Sequence, residues 1–148
     1  MTVNQPFLFL TISAGAWVSG TDAGLSYNNF PLMGDSFLPP ILESEHTYRF
    51  EILLYDQGFL QFCHRILATF TLLFVLHTIF RANNDNFFKN FKPLFYFLFG
   101  AIIFQYSLGI LILKLYVPLL LSLLHQLGSL LILTLIVISI CEVQKKRV

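Results

Sequence analysis

The sequence predicts an all-α integral membrane protein, a four-helix transmembrane bundle with a long extracytoplasmic loop between helices 1 and 2. Three observations point there. Of 148 residues, 56% are hydrophobic and only 11% charged, about half the charge of an ordinary soluble domain. Mean hydropathy is strongly positive, at +0.72. The apolar residues also gather into runs long enough to span ~30 Å of hydrocarbon, which takes about 20 residues at roughly 1.5 Å each. This balance excludes a disordered chain, a coiled coil and a basic nucleic-acid module. Cys63 and Cys141 sit inside apolar runs without CxxC spacing, which excludes a disulfide framework and a zinc knuckle. A single membrane domain over 1–148 is expected.

Helix 1 is expected over about 5–20. Its apolar core, Pro6–Ser19, has 14 residues, short for a span. A signal-peptide core is the alternative, but Met1–Gln5 holds no Lys or Arg. The reading is therefore a short or truncated spanning helix, whose Ala16-x-x-x-Gly20 spacing suits close approach of another helix. The 20–58 loop is too long for a tight connection. Pro31, Pro39, Pro40, Gly20, Gly24 and Gly34 punctuate it, while Phe30, Leu32, Met33, Phe37, Leu38 and Ile41 make it too apolar for a solvated tether. It is expected to fold as a cap on the outer membrane face.

Helix 2 is expected over 59–80, interrupted by Gln61, His64, Arg65 and His77. Helix 3 covers 94–113 with Gln105, and helix 4 covers 118–141 with His125 and Gln126 near its start. Pro93 and Pro118 stand at first turns, where a missing N–H costs nothing. Loop charge sets the orientation. Residues 20–58 carry six acidic side chains against Arg49 alone, whereas the 81–93 loop carries Arg81, Lys89 and Lys92, and the tail ends in Lys145, Lys146 and Arg147. By the positive-inside rule the 81–93 loop and both termini are cytoplasmic.

The strongest chemical signal is a histidine pair. His64 and His125 each lie ~8–12 Å below the outer boundary, on helices running in the same direction. Intramembrane ionisable groups are costly and face a bundle interior. Two level histidines on separate helices suit axial ligation of one haem iron. Ser122, Gly128 and Ser129 around His125, and Ala68 and Thr71 after His64, clear bulk from those faces. Arg65, near the outer surface, could pair with a propionate. A single membrane histidine is, against this, commonly a hydrogen-bonding helix link. His77 points about 220° away from His64 and reads as structural. His46 with Glu43 and Glu45 could form a loop metal site or a solvated turn, and no four-ligand zinc set is visible. Gln61, Gln105 and Gln126 read as helix-to-helix hydrogen bonds, with a role near a cofactor open for Gln126.

The residues from Gly15-Ala-Trp-Val-Ser-Gly-Thr-Asp-Ala-Gly-Leu-Ser-Tyr-Asn-Asn-Phe-Pro-Leu-Met-Gly34 resemble the outer-loop signature of haem A synthases. Phe50-Glu51, Gln61-Phe-Cys-His-Arg65, Gln105-Tyr-Ser-Leu-Gly-Ile110, and Val117-Pro118 leading to His125-Gln126 continue the resemblance in order. It covers the C-terminal four-helix half of the family only. Ile52 stands where the family has Asn, Cys63 where it has Asp, and the stretch between Phe50 and Gln61 is a few residues longer.

The resemblance implies two tandem bundles, each with a histidine pair, the N-terminal one taking haem O for oxidation of a methyl to the formyl of haem A. The C-terminal bundle holds haem b, so His64 and His125 would be its axial metal ligands, with Arg65 as a further cofactor-binding residue. The implied protein is an oxidoreductase of cytochrome oxidase biogenesis in the cell (inner) membrane. No catalytic residue is assigned. Expected partners are membrane lipid, haem, and a missing N-terminal half or homologous bundle, with a homo-oligomer open and nucleic acid excluded. Alternative readings are a bis-histidine electron-transfer cytochrome, a non-haem structural or assembly subunit, and an inactive gene fragment.

Overall fold

A computed structural model describes residues 4–43, 54–84 and 91–145. Four long helices dominate: α1 (Asn4–Gly20), α2 (Gln57–Asn83), α3 (Lys92–Lys114) and α4 (Leu119–Lys145). Three are long and apolar enough to cross a membrane, while the apolar part of α1, Pro6–Gly20, is shorter. The four expected helices are all present, and the last three run beyond the expected bounds at one or both ends. Hydropathy marks only what hydrocarbon can hold, whereas backbone hydrogen bonding continues into the interface. Arg81, Lys114 and Lys145 occupy the last turns of α2, α3 and α4, where positive charge meets the carbonyl end of the helix dipole.

Each helix packs against its neighbours in the chain, and α1 also touches α4. This up-down arrangement places α2 and α4 at opposite corners. On one side Phe7 of α1 stacks on Phe74 of α2, with ring centroids 4.6 Å apart. Beside them the Thr11 and Thr71 hydroxyls bond at 2.7 Å. Two apolar clusters fill the half of the bundle farther from the α1–α2 loop. Val75 and Ile79 pack with Phe91, Phe95 and Ile102, and Leu8 packs with Leu98, Ile132 and Ile136. The other half, under the loop, holds the polar side chains.

Residues 21–43 fold over that end as a cap. A 3-10 turn, Ala23–Leu25, and a helical turn, Pro40–Glu43, punctuate it. Ala23, Met33 and Pro39 are buried although the loop has no long element of its own. The bundle supplies what the loop lacks. Gln61 Nε2 donates to the Gly24 and Tyr27 carbonyls, both at 3.1 Å, and Gln57 Nε2 to the Thr21 carbonyl at 2.6 Å. From the loop, Asn28 Nδ2 donates to the Leu113 carbonyl at the end of α3. The expected folded cap is thus seen over 21–43, while Glu45, His46, Phe50, Glu51 and Ile52 lie outside the described residues.

Candidate functional site

His64 is the eighth residue of α2 and His125 the seventh of α4. Counted along the helices, both lie ~9–11 Å inside the cap end. The pair singled out by depth therefore shares one level on opposite-corner helices.

His64 leans on α1. Its Nδ1 lies 3.1 Å from the Thr11 carbonyl, which can only accept, so Nδ1 carries the proton and the Nε2 lone pair is free. Gly15, one turn beyond Thr11, makes that approach possible. A Cβ there would stand 2.9 Å from His64 Cε1 and 3.4 Å from Nδ1. The Thr11 hydroxyl, bonded to the Phe7 carbonyl at 2.8 Å and to Thr71, stiffens the same spot.

His125 leans on α3 in a similar way. A Cβ at Gly109 would lie 3.1 Å from its Cε1. Gln105 Nε2 donates to the His125 backbone carbonyl at 2.6 Å, and the Gln105 amide fills the space left by Gly128. His125 Nδ1 is buried and has no hydrogen-bond partner among the described residues.

Arg65 joins the cap to this level. It donates to the Leu32 carbonyl at 3.1 Å, the Tyr27 carbonyl at 2.9 Å and Gln61 Oε1 at 3.1 Å. Its guanidinium stands 5.9 Å from the Phe30 ring centre. Phe30 meets Tyr106 edge-on, and the Tyr106 hydroxyl bonds Thr69 at 3.0 Å. Arg65 Nε is buried without a partner among the described residues. The arginine is thus chiefly engaged with cap carbonyls.

Of the glutamines expected between helices, Gln105 and Gln126 do link helices, the latter donating to Ser19 Oγ on α1 at 3.2 Å. Gln61 instead holds the loop, because its amide ends inside the cap and faces no other span. Gly128 and Thr71, small residues beside the histidines, serve helix packing. His77 is exposed, as its angular position implied. Both cysteines are free. Among the described residues no three His, Cys, Asp or Glu side chains converge on a metal position. Thr11, Gly15 and Gly109 were not picked out as parts of the site. Two glycines at matching depth inside apolar helices were the available signal.

Two imidazoles brought level from opposite corners can hold a planar metal complex from its two faces, as a tetrahedral cage cannot. The profile of the cytochrome oxidase assembly protein family, COX15-CtaA, matches residues 2–137. The chain is 36% identical over 132 residues to the Heme A synthase of Rickettsia felis, and 34% identical over 133 residues to that of Rickettsia prowazekii. Each comparison covers 88% of this chain and 38% of the relative, so the chain spans well under half the length of these curated relatives. No solved structure matches it. The chain belongs to the COX15-CtaA family of cytochrome oxidase assembly proteins.

Proposed function

We propose that the chain is the haem-b-holding four-helix bundle of a haem A synthase, serving oxidation of the haem O methyl group to a formyl for cytochrome oxidase biogenesis. The observation that carries this reading is the bond from His64 Nδ1 to the Thr11 carbonyl, level with a His125 whose buried Nδ1 has no partner among the described residues. A metal-ligating histidine commonly donates its other ring N–H to a carbonyl, which fixes tautomer and ring orientation. The donor set fits a haem, which His64 and His125 would hold through their ring nitrogens.

Bound haem would supply one-electron redox chemistry. The chain's own residues do the rest. Thr11 and Gly15 orient His64, and Gln105 and Gly109 place His125. The cap, held by Gln61 and Arg65, shields this level from water. Arg65 would also set a positive charge near a propionate at the cap side. Oxidation of haem O would take place in a second, similar bundle that works with this one. The cap would face outward across the cell membrane and the termini the cytoplasm.

Absorbance spectroscopy of the purified chain tests the reading. A low-spin bis-imidazole haem b spectrum is expected, lost in His64→Ala with His125→Ala. A haem band unchanged in that double variant would overturn it. The histidine pair also supports a second reading, a bis-histidine electron carrier. Coexpression with a candidate N-terminal half and supplied haem O separates the two: haem A formation favours the synthase, and a reducible haem with no haem A favours the carrier.

A further inference from the structure

The two histidine sites are built on the same plan. Ser13-Ala14-Gly15 in α1 and Ser107-Leu108-Gly109 in α3 share a Ser-x-Gly pattern. Gly15 lies five residues before the end of its helix at Gly20, and Gly109 five before the end of its own at Lys114. Each glycine receives the imidazole of the next helix, with space too small for a Cβ at ordinary contact distance. Four residues before each glycine stands the residue that bonds the histidine, Thr11 in one case and Gln105 in the other.

At that point the plan diverges. Thr11 presents its carbonyl to the His64 ring itself. Gln105 reaches the His125 main-chain carbonyl, and the ring Nδ1 has no partner among the described residues. A carbonyl accepting the second ring N–H fixes ring rotation and raises ligand basicity. A ring held only by steric backing has neither constraint.

We propose that the two imidazoles are unequal ligands, His64 the anchor and His125 the exchangeable one, with Thr11 and Gln105 as their positioning residues. This rests on the haem-binding reading above. Thr11 acts through a carbonyl that its own hydroxyl helps to hold, by bonds to Phe7 and Thr71. Gln105 acts on His125 only through the α4 backbone. The α3–α4 side is therefore where a small external ligand takes the place of a histidine.

The test compares the full chain with His64→Gly and His125→Gly, each purified with and without added imidazole. In His125→Gly, haem stays bound and imidazole restores the low-spin spectrum. In His64→Gly, haem occupancy falls by more than the roughly tenfold that loss of a ligand's outer-shell partner costs a metal site, and imidazole does not restore it. Equal behaviour of the two variants, or the reverse order, overturns the proposal. Should either variant fail to fold, cyanide titration of the ferric wild-type chain against Gln105→Ala decides. Releasing the α4 carbonyl loosens His125 and raises cyanide affinity, and an unchanged affinity overturns the assignment. A wild-type chain that binds no haem removes the underlying reading instead, and that failure shows before any variant is made.

Discussion

Gln61 has both of its polar atoms in use while its side chain is 1% exposed. Its amide nitrogen serves two cap carbonyls and its oxygen accepts from Arg65. Gln61→Leu keeps similar bulk and strands the Gly24 carbonyl, whereas the Tyr27 carbonyl retains Arg65. Leaving a buried acceptor unpaired costs about 1–3 kcal/mol. Thermal unfolding in detergent should show that loss, together with faster protease cleavage within 21–43. Unaltered cleavage would mean that the cap is held elsewhere. The polar residue was plain in the sequence, since a glutamine within an apolar run needs a partner. Its cap partners were not, because the Gly24 and Tyr27 carbonyls meet it from positions more than 30 residues earlier. The same reasoning applies to His64. Its depth follows from counting, while the Thr11 carbonyl that fixes its ring depends on which helix lies beside it.

At the scale of elements, the α3–α4 turn shows how a short connection is closed. The Val117 N–H bonds the Ile112 carbonyl at 2.9 Å and the Tyr116 N–H the Leu113 carbonyl at 3.2 Å, the paired bonds of a Schellman helix end. That motif places Tyr116 at φ 60°, a left-handed position normally given to Gly or Asn. The Cβ of an ordinary L-residue costs about 1–2 kcal/mol there. Tyr116 is 72% exposed, so its ring recovers little by burial. Tyr116→Asn is expected to raise stability by about 0.5–1 kcal/mol, smaller than the full penalty because asparagine is only partly relieved in this region. A higher midpoint of thermal unfolding in detergent checks it. Val117 is a poorer target, since its side chain packs on Gly24 of the cap. Pro118 made the stop and restart of the helices legible. The residue forced into the left-handed position was not, because neither tyrosine nor valine signals it.

For the molecule as a whole, the apolar surface faces outward more than inward. Only 11% of the apolar window of α4 is buried, against 22% in α2 and α3, so most of the α4 surface is not covered by the other helices. Helix number and rough bounds were therefore readable from hydropathy alone, because lipid selects apolar residues all round a helix. That same uniformity erases the amphipathic stripe that would tell which helix packs on which, so the Gly15 and Gly109 backings had to come from the fold.

Orientation instead depends on charge, since moving basic loops across a membrane is disfavoured. The 20–58 loop is acidic on balance, whereas the α2–α3 connection and the C-terminal tail are basic. With Cys63 and Cys141 replaced by alanine, Tyr116→Cys should react with a membrane-impermeant maleimide in intact cells, and Asn84→Cys only after lysis. Both positions are exposed and lie at opposite ends of the bundle, so burial does not decide the result. The reverse pattern would turn the cap and the histidine level toward the cytoplasm. It would also place the basic segments outside, against the charge rule that orients the chain.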